Sequence, residues 1–236
     1  ELGMEDTHFV NCTGLDDGPD AGEHLTSAYD IALMSRELLN HDEIREYTTI
    51  WMDTVRNGTF GLSNTNKLVR FYSGTTGLKT GYTSGAGYCL SASAMREDME
   101  LIAVVMHCAS STDRFESAKA LLDWGFANYC LVTPTLEDKA LAVPVLLGTV
   151  SRITPMLDQA DPVLLEKSLK NQVTQTVELD EAVTAPVETG QQLGAVTLHS
   201  GDQVLGTIPL VAPSAVPRLT WWQLVGRLWQ TLCCVG

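Results

Sequence analysis

The residues best suited to chemistry form the triplet Lys79-Thr80-Gly81, inside the longer stretch Gly77–Thr83. Lys79 supplies a cation, Thr80 supplies a hydroxyl group, and Gly81 leaves its backbone uncovered. In an antiparallel edge strand this arrangement would let a ligand lie along the main chain while its charge is neutralised. A hairpin strand with a solvated lysine would show the same three residues, so the flanking sequence has to decide between the two.

The flanking sequence predicts an antiparallel meander of three strands and a helix that packs on it. The strands are expected at Leu78–Thr83, Tyr88–Arg96 and Glu100–Cys108, and the nearly continuous apolar run of the third indicates burial on both faces. Asp113 and Glu116 have the spacing of a capping box, with Asp113 as the cap. The helix that they open carries an apolar face of Phe115, Ala118, Leu122, Phe126 and Tyr129.

Two helices are predicted upstream of the triplet. The first begins near Thr26 or Ser27 and ends near Asn40. Its expected inward residues are Ile31, Ala32, Met34, Leu38 and Leu39. A second helix is expected over residues 42–48, followed by a buried segment at 50–52. His24 is interpreted as structural, because no Cys, Ser or carboxylate motif accompanies it.

Composition narrows the classes of protein and of partner. The 236 residues are 44% hydrophobic and 19% charged, which is typical of a soluble globular chain, and contain no apolar run long enough for a transmembrane helix. The formal net charge of −14 argues against nucleic acid as a partner. Six cysteines show neither a CxxC pair nor metal-ligand spacing, so no metal site is expected, and five of them lie in apolar or strand-like surroundings that favour buried free thiols. No cofactor is expected.

The sequence changes character beyond Cys130. Residues 136–212 predict a small all-β domain: Val173–Leu179 alternates as a half-buried strand, and Ala195–His199 and Val204–Leu210 flank a turn at residues 200–202. Residues 217–232 predict an amphipathic helix with an apolar face that includes Trp221, Trp222, Leu228 and Trp229. About 16 residues would give a helix of roughly 24 Å, too short for a bilayer core of about 30 Å. Such a helix suits the membrane surface, and docking on the β domain is the alternative.

The stretch Gly77–Ala94 resembles the third active-site motif of serine-type D-alanyl-D-alanine carboxypeptidases, the low-molecular-mass penicillin-binding proteins. Four further segments are similar to family segments in the expected order: Thr7–Leu15, His24–Ala32, Asn64–Leu68 and Leu121–Phe126. The sequence departs from the family at Cys12, where Pro is usual, and at Thr76, where Asp is frequent. The resemblance implies an α+β fold. Residues 1–130 would be the C-terminal portion of a β-lactamase/transpeptidase-like domain, with helices on an antiparallel sheet, before the β domain and the amphipathic helix.

The resemblance also implies roles for individual residues. Lys79 would be catalytic and would place its charge near the substrate's terminal carboxylate, to which Thr80 would donate a hydrogen bond. Arg114 would hold the same carboxylate, although a surface arginine paired with Asp113 or Glu116 is the alternative. Tyr82 would lend its backbone N–H group to the oxyanion hole beside the open backbone of Gly81. The implied ligands are the D-Ala-D-Ala end of peptidoglycan stem peptides and β-lactams, at the extracytoplasmic face of the bacterial membrane.

The family's nucleophile belongs to a Ser-x-x-Lys motif, and a Ser-x-Asn motif relays the proton. No serine in these 236 residues lies three positions before a lysine, and no Ser-x-Asn occurs. Because both motifs lie upstream in the family, we expect this chain to be a C-terminal portion that is inactive alone. The alternatives are a non-catalytic module that binds cell wall or membrane, and a β-lactamase-like hydrolase. Without upstream strands, the strand Glu100–Cys108 is expected to be an open sheet edge.

Overall fold

The computed structural model describes residues 2–16, 18–136, 141–159 and 161–233. The chain divides into two compact units, Glu1–Tyr129 and Cys130–Gly236. Each unit has its own buried core, and each is described separately below.

The first unit begins with the two predicted helices, α1 (Ala28–Leu39) and α2 (Asp42–Thr48). The Ser27 side chain caps α1 by accepting a hydrogen bond from the Asp30 N–H group at 3.2 Å. The predicted apolar face of α1 is only partly right, because Leu39 is buried whereas Met34 and Leu38 are exposed. The polar Ser35 takes a buried position on α1 instead, so the apolar side chains of Met34 and Leu38 face an open cleft.

A hairpin follows where the sequence predicted a buried segment at residues 50–52. Strands β1 (Met52–Val55) and β2 (Phe60–Ser63) pair only with each other, and all eight residues are exposed. That prediction was wrong because an isolated two-stranded hairpin has no second layer to bury its apolar side chains. A local signal was present in Asn57-Gly58, whose residues adopt the positive φ values that a tight hairpin turn requires. The short helix α3 (Leu68–Phe71) comes next.

The central sheet of the first unit is the predicted meander. Strands β3 (Thr75–Thr83), β4 (Gly87–Arg96) and β5 (Met99–Cys108) are antiparallel in the order β3-β4-β5. Among the strands of the described residues, β3 and β5 are therefore the two edges, as expected for β5. Lys79 pairs with Ser91 and Thr80 pairs with Leu90.

The two faces of this sheet are covered by different helices. The Ser91 hydroxyl forms a hydrogen bond with the Ser35 hydroxyl of α1 at 2.7 Å, which identifies the α1 face. Because side chains alternate along a strand, Lys79 points to the α1 face and Thr80 to the opposite one. Helix α4 (Ser111–Asn128) packs on that opposite face through the predicted residues Phe115, Ala118, Leu122 and Phe126, all of which are buried.

The predicted cap of α4 was wrong. The Ser110 side chain, not Asp113, is the cap: its Oγ accepts a hydrogen bond from the Asp113 N–H group at 3.1 Å. Ser110 has the extended backbone of an N-cap residue, so the helix begins at Ser111 and Asp113 lies in its first turn.

The second unit consists of short strands that form several small sheets. The strands are β6 (Tyr129–Val132), β7 (Val143–Leu146), β8 (Arg152–Ile153), β9 (Met156–Leu157), β10 (Val163–Glu166), β11 (Val173–Leu179), β12 (Val183–Thr184), β13 (Gln192–Ser200) and β14 (Gln203–Val211). One sheet has the order β11-β13-β14-β9 and another has the order β12-β7-β8. The predicted strand at 173–179 and the predicted hairpin around residues 200–202 are both confirmed.

The last helix, α5 (Trp221–Cys233), begins four residues later than predicted. The segment before it belongs to the β unit, because the Pro217 carbonyl accepts a hydrogen bond from Thr149 and the Leu219 N–H group donates to Leu147. Thr220 and Gln223 then cap the helix reciprocally, each side chain accepting from the other's backbone N–H group. Of the helices in the described ranges, none is both long and apolar enough to span a membrane.

Candidate active site

The contacts of Arg114 define the geometry of the Lys-Thr-Gly strand. Arg114 Nη1 donates to the carbonyl oxygens of Gly81 at 3.1 Å and of Cys89 at 3.3 Å. These residues pair across β3 and β4, and one nitrogen atom can reach both carbonyls only if they lie between the two strands. The peptide groups of Thr80 and Tyr82 must then point the other way, toward the open edge of β3. The Tyr82 N–H group is therefore available on that edge, as its expected role requires.

Two cations lie beside the Lys-Thr-Gly strand. Lys79 is exposed, and its Nζ atom donates to the outward carbonyl of Thr80 at 2.7 Å. Arg114 is only 7% exposed and lies over the rings of Tyr88 and Phe115, at 5.5 and 4.8 Å. In the part of the chain that the structure describes, neither cation forms an ion pair with a carboxylate.

This environment rules out the alternative of a surface arginine paired with its helix neighbours. Glu116 pairs instead with Lys119 at 2.6 Å, and Arg114 is buried. Burial lowers the pKa of Arg114, while the nearby Cys89, Tyr88 and Cys108 act in the opposite direction. The buried Arg114 Nε atom has no hydrogen-bond partner among the residues that the structure describes. A buried guanidinium group that stays charged and keeps an unused donor is well suited to bind an anion.

The Thr80 hydroxyl is held in place by a residue to which the sequence assigned no role. Its Oγ1 atom lies 2.6 Å from Oγ1 of Thr65, and Thr80 is 7% exposed. If Thr65 donates in this pair, the Thr80 proton remains available to a ligand, because a hydroxyl group both accepts and donates. The neighbouring Asn66 is 1% exposed and donates from Nδ2 to the Gly77 carbonyl at 3.0 Å. The Asn64–Leu68 segment, recognised only by resemblance, thus supports the strand.

Thr76, where the sequence departs from the family, is part of a second support. The Thr76 hydroxyl donates to Glu100 Oε1 at 2.6 Å, and its oxygen lies within hydrogen-bond distance of Ser93 Oγ, at 2.8 Å. Glu100 in turn pairs with Arg45 of α2 at 2.6 Å, and this hydrogen bond raises the pKa of Arg45. Glu100 therefore supplies a carboxylate beside position 76, where the family frequently has Asp.

An open cleft of about 900 Å³ lies on the α1 face of the sheet, beside Lys79. Its walls are mostly apolar side chains of α1 and β5, including Met34, Leu38, Val104 and Met106. His24 also lines the cleft, but its Nδ1 atom accepts a hydrogen bond from the Val10 N–H group at 3.1 Å. That contact agrees with the structural interpretation of His24.

The far end of β3 is fixed by the loop that precedes α1. The Asp16 carboxylate accepts from the Gly85 N–H group at 3.4 Å, and hydrogen bonds with Thr83 and Gly85 lower the pKa of Asp16. Tyr82 and Tyr88 stack across the strands with ring centroids 4.3 Å apart. This pair and the adjacent Arg114 form a continuous wall that strand periodicity alone did not predict.

Comparison with known proteins shows what most of this chain is similar to. The family model for D-alanyl-D-alanine carboxypeptidase matches residues 1–110, and the model for the C-terminal domain of penicillin-binding protein 5 matches residues 133–218. D-alanyl-D-alanine carboxypeptidase DacF of Bacillus subtilis (strain 168) is 35% identical over 217 residues, which are 90% of this chain and 55% of the relative.

Two solved structures are similar over most of the chain. Penicillin-binding protein 5 of Haemophilus influenzae has a TM-score of 0.67 and 28% identity, over 92% of this chain and 63% of that one. Penicillin-binding protein 6B of Escherichia coli has a TM-score of 0.62 and 30% identity, over 89% and 56%. The chain spans about half the length of the curated relatives that it matches. It belongs to the family of low-molecular-mass D-alanyl-D-alanine carboxypeptidases.

Proposed function

We propose that this chain provides the carboxylate-binding side of a serine-type D-alanyl-D-alanine carboxypeptidase, which removes the terminal D-Ala of peptidoglycan stem peptides. The observation that carries this proposal is the pair Arg114 and Lys79, two cations without carboxylate partners in the described ranges, beside the Lys-Thr-Gly strand β3 on its two faces. The names of the similar proteins, which are carboxypeptidases and penicillin-binding proteins, support it.

The proposed binding mode follows from the two faces of β3. Arg114 and Thr80 lie on the α4 face and hold the terminal carboxylate by charge-assisted hydrogen bonds. The Tyr82 N–H group, two residues further on, donates to the oxygen of the carbonyl under attack. Gly81 lies between them and lets the substrate approach the backbone. The stem peptide upstream of that carbonyl then runs toward Thr83.

Lys79 points to the other face, into the cleft beside α1. Its charge there favours transfer of a proton from the attacking serine through a neighbouring hydroxyl group. The 236 residues contain no Ser-x-x-Lys and no Ser-x-Asn motif, so we assign the nucleophile to no residue of this chain. β-lactams, which present a carboxylate and a strained amide in a similar geometry, are the proposed inhibitors of the same site.

The decisive experiment is fluorescent penicillin labelling of the native cellular protein, followed by mass spectrometry of the labelled peptide. A stable adduct on a serine of a Ser-x-x-Lys motif, in a protein that contains this sequence, is the expected result. Rapid hydrolysis of the β-lactam with no stable adduct would favour the β-lactamase alternative. No adduct and no hydrolysis would favour the non-catalytic module.

We also propose that α5 lies on the extracytoplasmic membrane surface. The side chains of Trp221, Trp222, Leu228 and Trp229 are 62–79% exposed. Arg227 instead donates to the carbonyl oxygens of Gly148 and Thr149 at 3.2 and 2.6 Å, which fixes α5 to its own β unit through the other face. An exposed face of three tryptophans on a helix held in this way suits the headgroup region.

A further inference from the structure

The charged residues that give the net charge of −14 are distributed very unevenly along the chain. Residues 54–96 contain the cations Arg56, Lys67, Arg70, Lys79 and Arg96, and all 29 acidic residues lie outside this segment. Lys79 belongs to the candidate active site, and Arg96 pairs with Asp123 at 3.7 Å. The other three cations have no role in the site described above.

Two of these cations, Arg56 and Arg70, lie beside aromatic rings of the β1–β2 hairpin, its flanking residue Trp51 and α3, and Lys67 is exposed just before α3. Arg56 lies 5.7 Å from the ring centroid of Phe60, and Arg70 lies 5.7 Å from that of Trp51 and 5.5 Å from that of Phe71. Phe60 and Phe71 are 52% and 69% exposed. We call this group the hairpin surface; it comprises Trp51, Arg56, Phe60, Lys67, Arg70 and Phe71.

The chemistry of the hairpin surface favours a polymeric anion that carries sugar rings. A guanidinium group stacked on a ring keeps its N–H edge free for bidentate pairing with a carboxylate. In the described residues, Arg56, Lys67 and Arg70 have no carboxylate partner of their own. The nearest acidic residue in sequence, Asp53, accepts a hydrogen bond from the Thr54 N–H group. Exposed aromatic rings can stack on the apolar faces of sugar rings.

The hairpin surface is also connected to the candidate active site, through the segment between β2 and α3. Strand β2 ends at Ser63, and two residues later Thr65 forms its hydrogen bond with Thr80 at 2.6 Å. Lys67 follows Asn66, which bonds to the carbonyl of Gly77 in β3. A substrate whose terminal carboxylate lies at Thr80 therefore lies near the segment that carries Lys67 and connects β2 to α3.

We propose that the hairpin surface binds polymeric peptidoglycan, with its cations on stem-peptide carboxylates and its rings against the glycan. The proposal rests on the proposed function, since it adds a wall-binding surface to the same substrate. Under this proposal, the preferred ligand is the cell-wall polymer rather than a free stem peptide.

The test is co-sedimentation of the 236-residue chain with purified peptidoglycan sacculi that have been stripped of teichoic acid and protein. The variant R56Q/K67Q/R70Q should bind the sacculi about tenfold more weakly, since each exposed cation contributes a modest ion pair. The matched control R36Q/R152Q/K170Q removes the same charge at exposed positions elsewhere and should bind like the unmodified chain. Added salt should weaken the binding of the unmodified chain. Unchanged circular dichroism would show that the exposed substitutions leave the fold intact.

Three results would overturn the proposal: no sedimentation of the unmodified chain, equal losses in variant and control, or a loss confined to binding of phosphatidylglycerol vesicles. The last result would assign the surface to the membrane. Failure of the proposed function has a different signature. In the native protein, R114Q should impair penicillin labelling, whereas R56Q/K67Q/R70Q should weaken sacculus binding and leave penicillin labelling normal.

Discussion

Arg114 of α4 donates a hydrogen bond to the carbonyl oxygen of Gly81 in β3, at 3.1 Å. This bond fixes which peptide groups of the Lys-Thr-Gly strand face the neighbouring strand and which face the open edge. It also holds a buried cation against the glycine that leaves the edge accessible. One side chain therefore both orients the strand and supplies charge to the proposed carboxylate site.

We expect R114Q in the native protein to slow acylation by penicillin about 10- to 100-fold, because it removes charge-assisted hydrogen bonds worth about 1.5–3 kcal/mol. R114K should lose less, since it retains the charge without the guanidinium geometry. The measurement is the second-order rate of fluorescent penicillin labelling. R96Q, at a cation that pairs with Asp123, is the control and should label normally. Normal labelling of R114Q would refute the carboxylate role.

Gly81 should be required for ligand access and not for folding. A Cβ atom added at Gly81 would come no closer than 3.8 Å to Cys89, an ordinary contact, and its φ is not positive. G81A should therefore melt within about 2 °C of the unmodified protein and still label about tenfold more slowly. G74A is the contrasting variant: its φ is +87° and its Cβ would overlap the Met95 carbonyl. It should lose thermal stability instead. A lower melting temperature for G81A would show that Gly81 is also needed for folding.

The sequence predicted those elements whose signals are local. Helix α2 and strand β11 occur at the predicted residues, because the residue preferences of a short helix and the alternation of a half-buried strand act over a few neighbours. The hairpin at Met52–Ser63 was missed, because its exposed apolar side chains resemble those of a core segment. Whether such side chains are buried depends on a second layer, which a single segment does not encode.

In the candidate site, too, the sequence predicted the residues with a local signal and missed the long-range contacts. Lys79, Thr80 and Gly81 were found from their types and their order. The bonds of Thr65 and Asn66 to β3 join residues 11 to 15 positions apart, and those of Arg114 span 25 to 33 positions. No local pattern specifies such contacts. The resemblance supplied the candidate role of Arg114, and only the fold explains why this arginine is buried.

Asn66 should matter for stability as well as for position. Its Nδ2 atom donates to the Gly77 carbonyl, and its Oδ1 atom accepts from the Leu68 N–H group. N66A leaves both buried partners unsatisfied and should lower the free energy of unfolding by about 2–4 kcal/mol. Urea unfolding of the 236-residue chain measures this loss. N171A, at an exposed asparagine of the second unit, should cost little. A loss below about 1 kcal/mol would show that water replaces both bonds.

Tyr72 should make the first unit less stable at high pH. Burial, and then its hydrogen bond to Asp123 at 2.7 Å, raise the pKa of Tyr72 to about 12, from 10.0. Because the folded value is the higher one, the contribution is fully present below pH 10 and is lost between pH 10 and about 12. Y72F should cost about 1 kcal/mol at neutral pH and weaken this alkaline loss. Urea unfolding at several pH values tests both, and Y47F, at an exposed tyrosine, should change neither.

The exposed tryptophans of α5 should contribute to membrane binding. W222S/W229S removes two tryptophans that are 79% and 70% exposed, so its effect on the fold should be small. If each ring buries part of its area among the lipid headgroups, at about 1 kcal/mol per ring, vesicle binding should weaken about tenfold or more. Co-sedimentation with phosphatidylglycerol-containing vesicles measures this loss. W124S removes a tryptophan of α4 that is 58% exposed and should bind vesicles normally.

Equal binding by W222S/W229S and the unmodified chain would mean that α5 is not the membrane contact. Aggregation of W222S/W229S, with lower thermal stability, would instead mean that this face packs against protein.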